Sequence, residues 1–216
     1  PWTIPANTGI SLNPDEEYVL TTDGFIVALA LLDALNKSGV LNGEAARVFQ
    51  AKELENLFAI NPLNQRTSHI VLGRHVLVEN GTGCVHTAPG HGEDDYKVGL
   101  LYDLEVLMPV DETGCFDETI VREKLIPNAE NFVGRHIFKS NEEILELMGT
   151  SVLSVSKFMH SYPHCWRSHT PLIYRATRQW FISVDEKPAD SDKTLRNIAL
   201  DEIEKTLFVP QTGRNR

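Results

Sequence analysis

Apolar runs in this chain are short and are cut repeatedly by turn-forming residues, which limits the folds open to it. The longest run, Phe25–Leu32, fits a buried strand passing into a helix. Tyr18–Leu20 and Phe25–Ala28 flank Thr21-Thr22-Asp23-Gly24, the pattern of a hairpin with an Asp-Gly turn. Short strands are also expected at Ala46–Gln50, His69–Leu72, His75–Val78 and Cys84–Thr87, the last following the turn Asn80-Gly81-Thr82-Gly83. Val106–Val110, Val152–Met159, Pro171–Arg175 and Trp180–Val184 read the same way. Helical patterns fall between the strands without strict alternation. They cover Leu31–Asn36, Ala51–Phe58 and Glu93–Tyr102, and a helix ending at Gly149 that starts from a Ser140/Glu143 capping box. The clearest amphipathic pattern is Asp192–Leu207, with Ser191 as its cap. This order predicts an α+β fold, mainly β, with an antiparallel β-barrel core and peripheral helices, and argues against a doubly wound sheet.

Composition narrows the class. The chain has 216 residues, 42% hydrophobic and 23% charged, and no apolar stretch long enough to cross a bilayer, so no membrane partner is expected. Three unevenly spaced cysteines, Cys84, Cys115 and Cys165, fit a reducing compartment, and a cytoplasmic location is expected. A net charge of −10 argues against a general polyanion binder. Yet Val155–Trp180 carries Lys157, Arg167, Arg175 and Arg178 with no Asp or Glu, so one basic stretch could face a nucleic acid. The chain opens on Pro1-Trp2-Thr3 without Met, which leads to the expectation of a piece of a longer protein.

Chemistry concentrates in Gly81–Tyr96. The segment is neither a dinucleotide fingerprint nor a phosphate-binding loop, because His86 stands where a third glycine would be needed. Its strand–loop–helix order directs His86 and Thr87 toward the first turn of the next helix, which holds Asp94 and Asp95. Neighbouring helix positions point about 100° apart. One carboxylate can therefore face the loop and hold an ammonium group while the other caps or faces solvent. A histidine opposite could position a hydroxyl or a water. Asp94 and Asp95 also suit the helix dipole, and His86, His91 and an Asp could make a hydrolytic zinc set. Cys165 lies between His164 and His169, a weak metal pattern.

Taken in order, these segments resemble the editing domain of isoleucyl-tRNA synthetases, across nearly the whole chain. Pro1-Trp2-Thr3-x-Pro5-Ala6-Asn7 resembles the end of the family's threonine-rich peptide. Gly81-Thr82-Gly83-x-Val85-His86-Thr87-Ala88-Pro89-Gly90-His91-Gly92-x-Asp94-Asp95-Tyr96 resembles its most specific signature. Tyr162-Pro163-x-Cys165-Trp166-Arg167 and Arg175-Ala176-Thr177-x-Gln179-Trp180-Phe181 resemble strands returning toward a catalytic core. The related valyl and leucyl enzymes share the Gly-Thr-Gly turn and a later Asp, but lack the Pro-Trp-Thr and His-Thr-Ala-Pro-Gly-His elements.

The resemblance implies an editing domain over residues 1–184 and a helical return segment over 185–216. It implies hydrolysis of valine misattached to tRNA(Ile), with valyl-adenylate as a second candidate substrate. One methylene is worth only about 1–3 kcal/mol of discrimination, a limit for which isoleucyl enzymes are the standard illustration. By position, Asp95 resembles the anchor for the α-ammonium group, and His86 the residue shaping the pocket beside the terminal ribose. Thr3 and Trp2 resemble pocket-lining residues. Asn7, Thr87, His91 and Asp94 belong to the same motifs and are expected at the substrate. No metal, cofactor or covalent nucleophile is implied here. ATP and Mg²⁺ would serve the parent ligase, and no His-x-Gly-His or Lys-Met-Ser-Lys-Ser stretch occurs, so ligase activity is not expected of this chain. Partners would be the tRNA(Ile) 3′ end and the rest of a synthetase. A non-catalytic acceptor-end docking module is the alternative.

Overall fold

The computed structural model describes residues 1–79, 81–156 and 161–215. The chain divides into two compact units, Pro1–Ala176 and Thr177–Arg216. In chain order the elements are β1 (Gly9–Leu12), β2 (Glu17–Thr21), β3 (Ile26–Ala28), α1 (Leu32–Lys37), β4 (Ala45–Gln50) and α2 (Ala51–Leu54). They continue with β5 (Phe58–Ile60), β6 (Thr67–Leu72), β7 (Cys84–Thr87), α3 (Glu93–Leu101), α4 (Thr119–Arg122), α5 (Asn141–Met148) and α6 (Leu195–Lys205).

The first unit holds two open sheets, so the fold is mixed α/β and the expected closed antiparallel barrel does not form. One sheet has the order β5-β6-β1-β7, the other β3-β2-β4. Strand β1 pairs parallel with β6 and antiparallel with β7, so the larger sheet is also not purely antiparallel. Closure needs an unbroken, staggered ladder. Here the sheets meet at one corner, where Ala28 N–H donates to the Thr82 carbonyl at 2.8 Å, and no ladder continues from that bond.

Burial explains the rest. A cluster of Leu12, Tyr18, Ala28, Leu31, Ala51 and Leu54, with Ile70 and Leu72 against it, joins the two sheets. A second cluster built on Phe116, Ile120, Leu125, Phe132, Ile137 and Ile144 receives Ala6, Ala88 and the partly buried Trp2 and Ile4. The chain's first residues are therefore held against the loop that follows β7.

The Asp-Gly hairpin forms as expected, as β2 and β3 with Gly24 at φ +91°. Several expected strands do not form. Val110 makes only an isolated bridge with Phe116, and Pro171 only one with His164. His75–Val78 and Trp180–Val184 have no strand partner. The strand expected over Val152–Met159 runs into residues 157–160, which lie outside the described residues, and 152–156 are irregular. The helix expected over Ala51–Phe58 stops at Leu54, because Phe58 is drawn into pairing with His69 on β6. The Ser140/Glu143 capping box is absent. A 3₁₀ turn over Ile137–Ser140 runs directly into α5, leaving Ser140 in a helical conformation, and Glu143 pairs instead with Arg135 at 2.5 Å. A capping box does occur at Gln50 and Glu53.

In the second unit α6 is capped by Thr194, which accepts from Asn197 N–H, while Ser191 bonds within its own turn to Lys193. Among the described residues no helix is long and apolar enough to cross a membrane.

Tyr18 ties the smaller sheet to the turn before β7. Its fully buried hydroxyl donates to the Gly83 carbonyl at 2.7 Å and accepts from Asn13 N–H at 2.8 Å. Gly83 has φ +73°, and a Cβ there would lie 2.4 Å from Ala28 Cβ, so only glycine fits. Tyr18→Phe leaves both backbone groups orphaned and is expected to cost about 1–3 kcal/mol in urea unfolding. A loss below a few tenths would contradict this role.

Candidate functional site

The pairing of β1 with β7 sets Gly9 opposite Thr87 and Ile10 opposite His86. Thr8 N–H extends the contact by donating to the Thr87 carbonyl at 3.0 Å. The residues preceding β1 are thereby brought to the end of β7, where the chain turns into α3. Pro5 and Ala6 lie in a buried 3₁₀ turn, Ile4–Ala6, whose carbonyls receive the Asn61 and Asn64 side-chain amides at 3.0 and 3.2 Å. Thr3 is held at the mouth of this junction.

An open cleft of about 470 Å³ lies there, lined by Thr3, Val85 and His86 on one side, His91 to Asp95 on another, and Tyr174. The two aspartates diverge. Asp94 is exposed, 3.7 Å from Lys97. Asp95 is half-buried and turns back on the loop, where its Oδ2 accepts Ala88 N–H at 2.9 Å. A Cβ on Gly92 would sit 3.0 Å from the Asp95 carboxyl carbon, so glycine at 92 leaves room for this arrangement. Burial raises the Asp95 carboxyl above its usual range, against the lowering effect of the Ala88 N–H. A cationic ligand group would relieve that desolvation.

His86 is fully engaged. Its Nε2 is 2.8 Å from the Thr3 hydroxyl, and its Nδ1 is 3.1 Å from the Asn7 amide nitrogen. Burial pushes its imidazole down to about 4, so it is neutral at physiological pH. With both ring nitrogens committed, it has no spare lone pair for a water.

His91 differs. Its Nδ1 lies 3.1 Å from the Tyr174 carbonyl, which can only accept, so Nδ1 carries the hydrogen. Nε2 is then a buried acceptor with no partner among the described residues. Burial pushes this ring also down to about 4. Trp2 stacks edge-on against it, with centroids 4.8 Å apart, and Trp2 N–H donates to Asn141 Oδ1 at 3.0 Å. Among the described residues no three His, Cys, Asp or Glu side chains gather as a metal-holding group.

A family model described as "Leucyl-tRNA synthetase, editing domain" matches residues 32–148, a span containing His86, His91 and Asp95. The chain belongs to this editing-domain family. Within it, the similar curated relatives are isoleucine–tRNA ligases. That of Sulfurimonas denitrificans is 77% identical over all 216 residues, and those of a Sulfurovum and a Nitratiruptor species are 64% and 63% identical over the same length. The chain spans about a quarter of the length of these relatives (24%, 24% and 23%). A solved structure described as "The crystal structure of GlLeuRS-CP1" shares the fold, with a TM-score of 0.55 at 12% identity, over 74% of this chain and 82% of that one.

Of the residues singled out from sequence, the editing-domain fold brings Thr3, His86, His91, Asp94 and Asp95 to one cleft. Thr87 lies on the opposite face of β7 from His86, and its buried hydroxyl pairs with Ser11 at 2.6 Å. Asn7 is buried beside the cleft rather than lining it. Sequence reading missed Tyr174, Val85 and Ser68, whose hydroxyl donates to Asn7 Oδ1. A buried Ser in a Thr-Ser-His run carries no local signal.

The neutral histidines have a pH consequence. Their folded pKa values of about 4 lie below the ordinary 6.5, so the unfolded chain binds more protons between those limits. Stability is therefore expected to fall as pH drops from 6.5 toward 4. His91→Asn, which keeps a donor for the Tyr174 carbonyl, should flatten the melting-temperature slope in that window. An unchanged slope would contradict the buried neutral ring.

Proposed function

We propose that this cleft hydrolyses the ester of valine misattached to the 3′ end of tRNA(Ile), and also accepts valyl-adenylate. Membership of the editing-domain family gives the class of site. The observation that carries the finer reading is the half-buried Asp95 carboxylate, fixed by Ala88 N–H at 2.9 Å and facing Thr3 and His86 across one cleft.

A carboxylate already stripped of part of its water is suited to an α-ammonium group, and the ammonium in turn stabilises its ionised form. Held this way, the aminoacyl ester lies beside the Thr3 hydroxyl. A water adds to the ester carbonyl carbon, the bond from that carbon to the ribose oxygen breaks, and a proton passes to the departing oxygen. The cleft needs no protein nucleophile for this sequence, and the low pKa of both histidines suits them to orient groups rather than to carry protons. A site shaped to the smaller side chain excludes isoleucine by volume, which avoids relying on the small binding energy of one methylene. Under this reading the chain needs no cofactor, the tRNA acceptor end and the remainder of a ligase are its partners, and ATP and Mg²⁺ serve ligase chemistry elsewhere.

The test is deacylation of valyl-tRNA(Ile) against isoleucyl-tRNA(Ile), with the chain carried in an isoleucine–tRNA ligase. Preferential loss of valine is expected. Asp95→Ala removes a charge-assisted contact worth about 1.5–3 kcal/mol, so the valyl rate should fall about 10–100-fold. An unchanged rate rules out the ammonium anchor. Salt-dependent tRNA binding with no deacylation would favour a docking module instead.

A further inference from the structure

We propose that Asn7 is a positioning residue: by fixing His86 as the Nε2–H tautomer, it frees the Thr3 hydroxyl hydrogen to act as a donor in the cleft. The inference rests on the hydrolytic reading above for its consequence, while its structural half can be checked without substrate.

The orientation of the Asn7 amide is settled by its neighbours. Its Nδ2 is 2.7 Å from the Gly9 carbonyl and 3.4 Å from the Thr87 carbonyl, both acceptors only. Its Oδ1 accepts from the buried Ser68 hydroxyl. Reversing the amide would set Oδ1 against the Gly9 carbonyl oxygen. One amide hydrogen serves the Gly9 carbonyl; the second has His86 Nδ1 at 3.1 Å, nearer than the Thr87 carbonyl, which already accepts Thr8 N–H, so Nδ1 receives it. A neutral imidazole has one acceptor nitrogen and one donor. With Nδ1 accepting, Nε2 carries the hydrogen and donates to Thr3 Oγ1 at 2.8 Å.

A hydroxyl oxygen that accepts from His86 keeps its own hydrogen for another partner, and Thr3 lines the cleft. That hydrogen can meet the ester carbonyl oxygen as negative charge develops on it, the kind of prearranged donor that lowers a hydrolytic barrier. In the opposite tautomer the Thr3 hydrogen would be taken up by the bare Nε2, and the cleft would lose its donor. Asn7 is 5% exposed and does not line the cleft, so its effect passes through His86. Ser68 anchors the far end of the chain of bonds.

The direct readout is ¹⁵N-histidine NMR of the substrate-free chain at neutral pH. The wild type is expected to show His86 with an unprotonated Nδ1 and a protonated Nε2. Asn7→Asp presents only acceptors to Nδ1, so the pattern should invert, and valyl-tRNA(Ile) deacylation should fall about 100–1000-fold, the usual effect of losing one transition-state donor. Thr3→Val should lose a similar factor while keeping the wild-type tautomer. The double variant should be little worse than either alone, because both remove one donor. If Asn7→Asp does not fold, Asn7→Ala should show a mixture of tautomers with an intermediate rate. A protonated Nδ1 in the wild type, or lost activity in either Asn7 variant with the tautomer unchanged, would overturn the proposal. Failure of the wild type to hydrolyse the valyl ester would instead sink the hydrolytic reading, whatever the tautomer.

Discussion

The antiparallel pairing of β1 with β7 joins two segments more than seventy residues apart in sequence, and the cleft depends on it. Gly9 opposite Thr87 fixes where the preceding 3₁₀ turn ends, and so where Thr3 stands relative to His86. The pairing works because β1 is hydrogen-bonded on both sides, to β6 as well as to β7. Its side chains are mostly buried, so a slip of one residue would turn Leu12 out of the core. The same slip would separate the Thr3–His86 pair. Fold stability and site geometry thus rest on one register.

Around that register the polar groups divide their work. Asp95 supplies negative charge, held in place by a backbone N–H. His86 and His91 sit in opposite tautomers, one set by the Asn7 amide nitrogen, which the Gly9 carbonyl and Ser68 hydroxyl orient, and the other by the Tyr174 carbonyl, which can only accept. Burial keeps both rings uncharged. The cleft therefore sets the half-buried Asp95 carboxylate, with Glu93 and Asp94 exposed beside it, among neutral dipoles of set direction, which under the proposed reading suits an ammonium group attached to an ester.

The Asp-Gly hairpin, α3 and the divergence of Asp94 from Asp95 are legible in the local pattern of residues, because turn chemistry and helical periodicity act over a few positions. The Gly81–Tyr96 segment likewise marks the cleft. Distant pairing decides the rest. Gly9–Leu12 is too short and mixed to announce a strand, and Phe58 leaves a helical pattern to join β6. The barrel expectation fails because short strands with turn signals fit both open and closed sheets, and closure depends on a ladder that here stops at Thr82. Thr87 has the motif position of a cleft residue, but strand alternation turns it toward Ser11. Ser68 and Tyr174 come from remote segments, so nothing along the chain signals their part in orienting Asn7 and His91.

The central claim is that the aminoacyl end of a substrate is read in this cleft by Asp95 and Thr3. The most direct measurement is a structure of the chain with a non-hydrolysable valyl-adenosine analogue. The account predicts the α-ammonium within hydrogen-bonding distance of the Asp95 carboxylate and an oxygen of the aminoacyl-ribose linkage at the Thr3 hydroxyl, with no equivalent binding of the isoleucyl analogue. An analogue bound elsewhere, or one whose ammonium avoids Asp95 while valyl and isoleucyl forms bind alike, would contradict it.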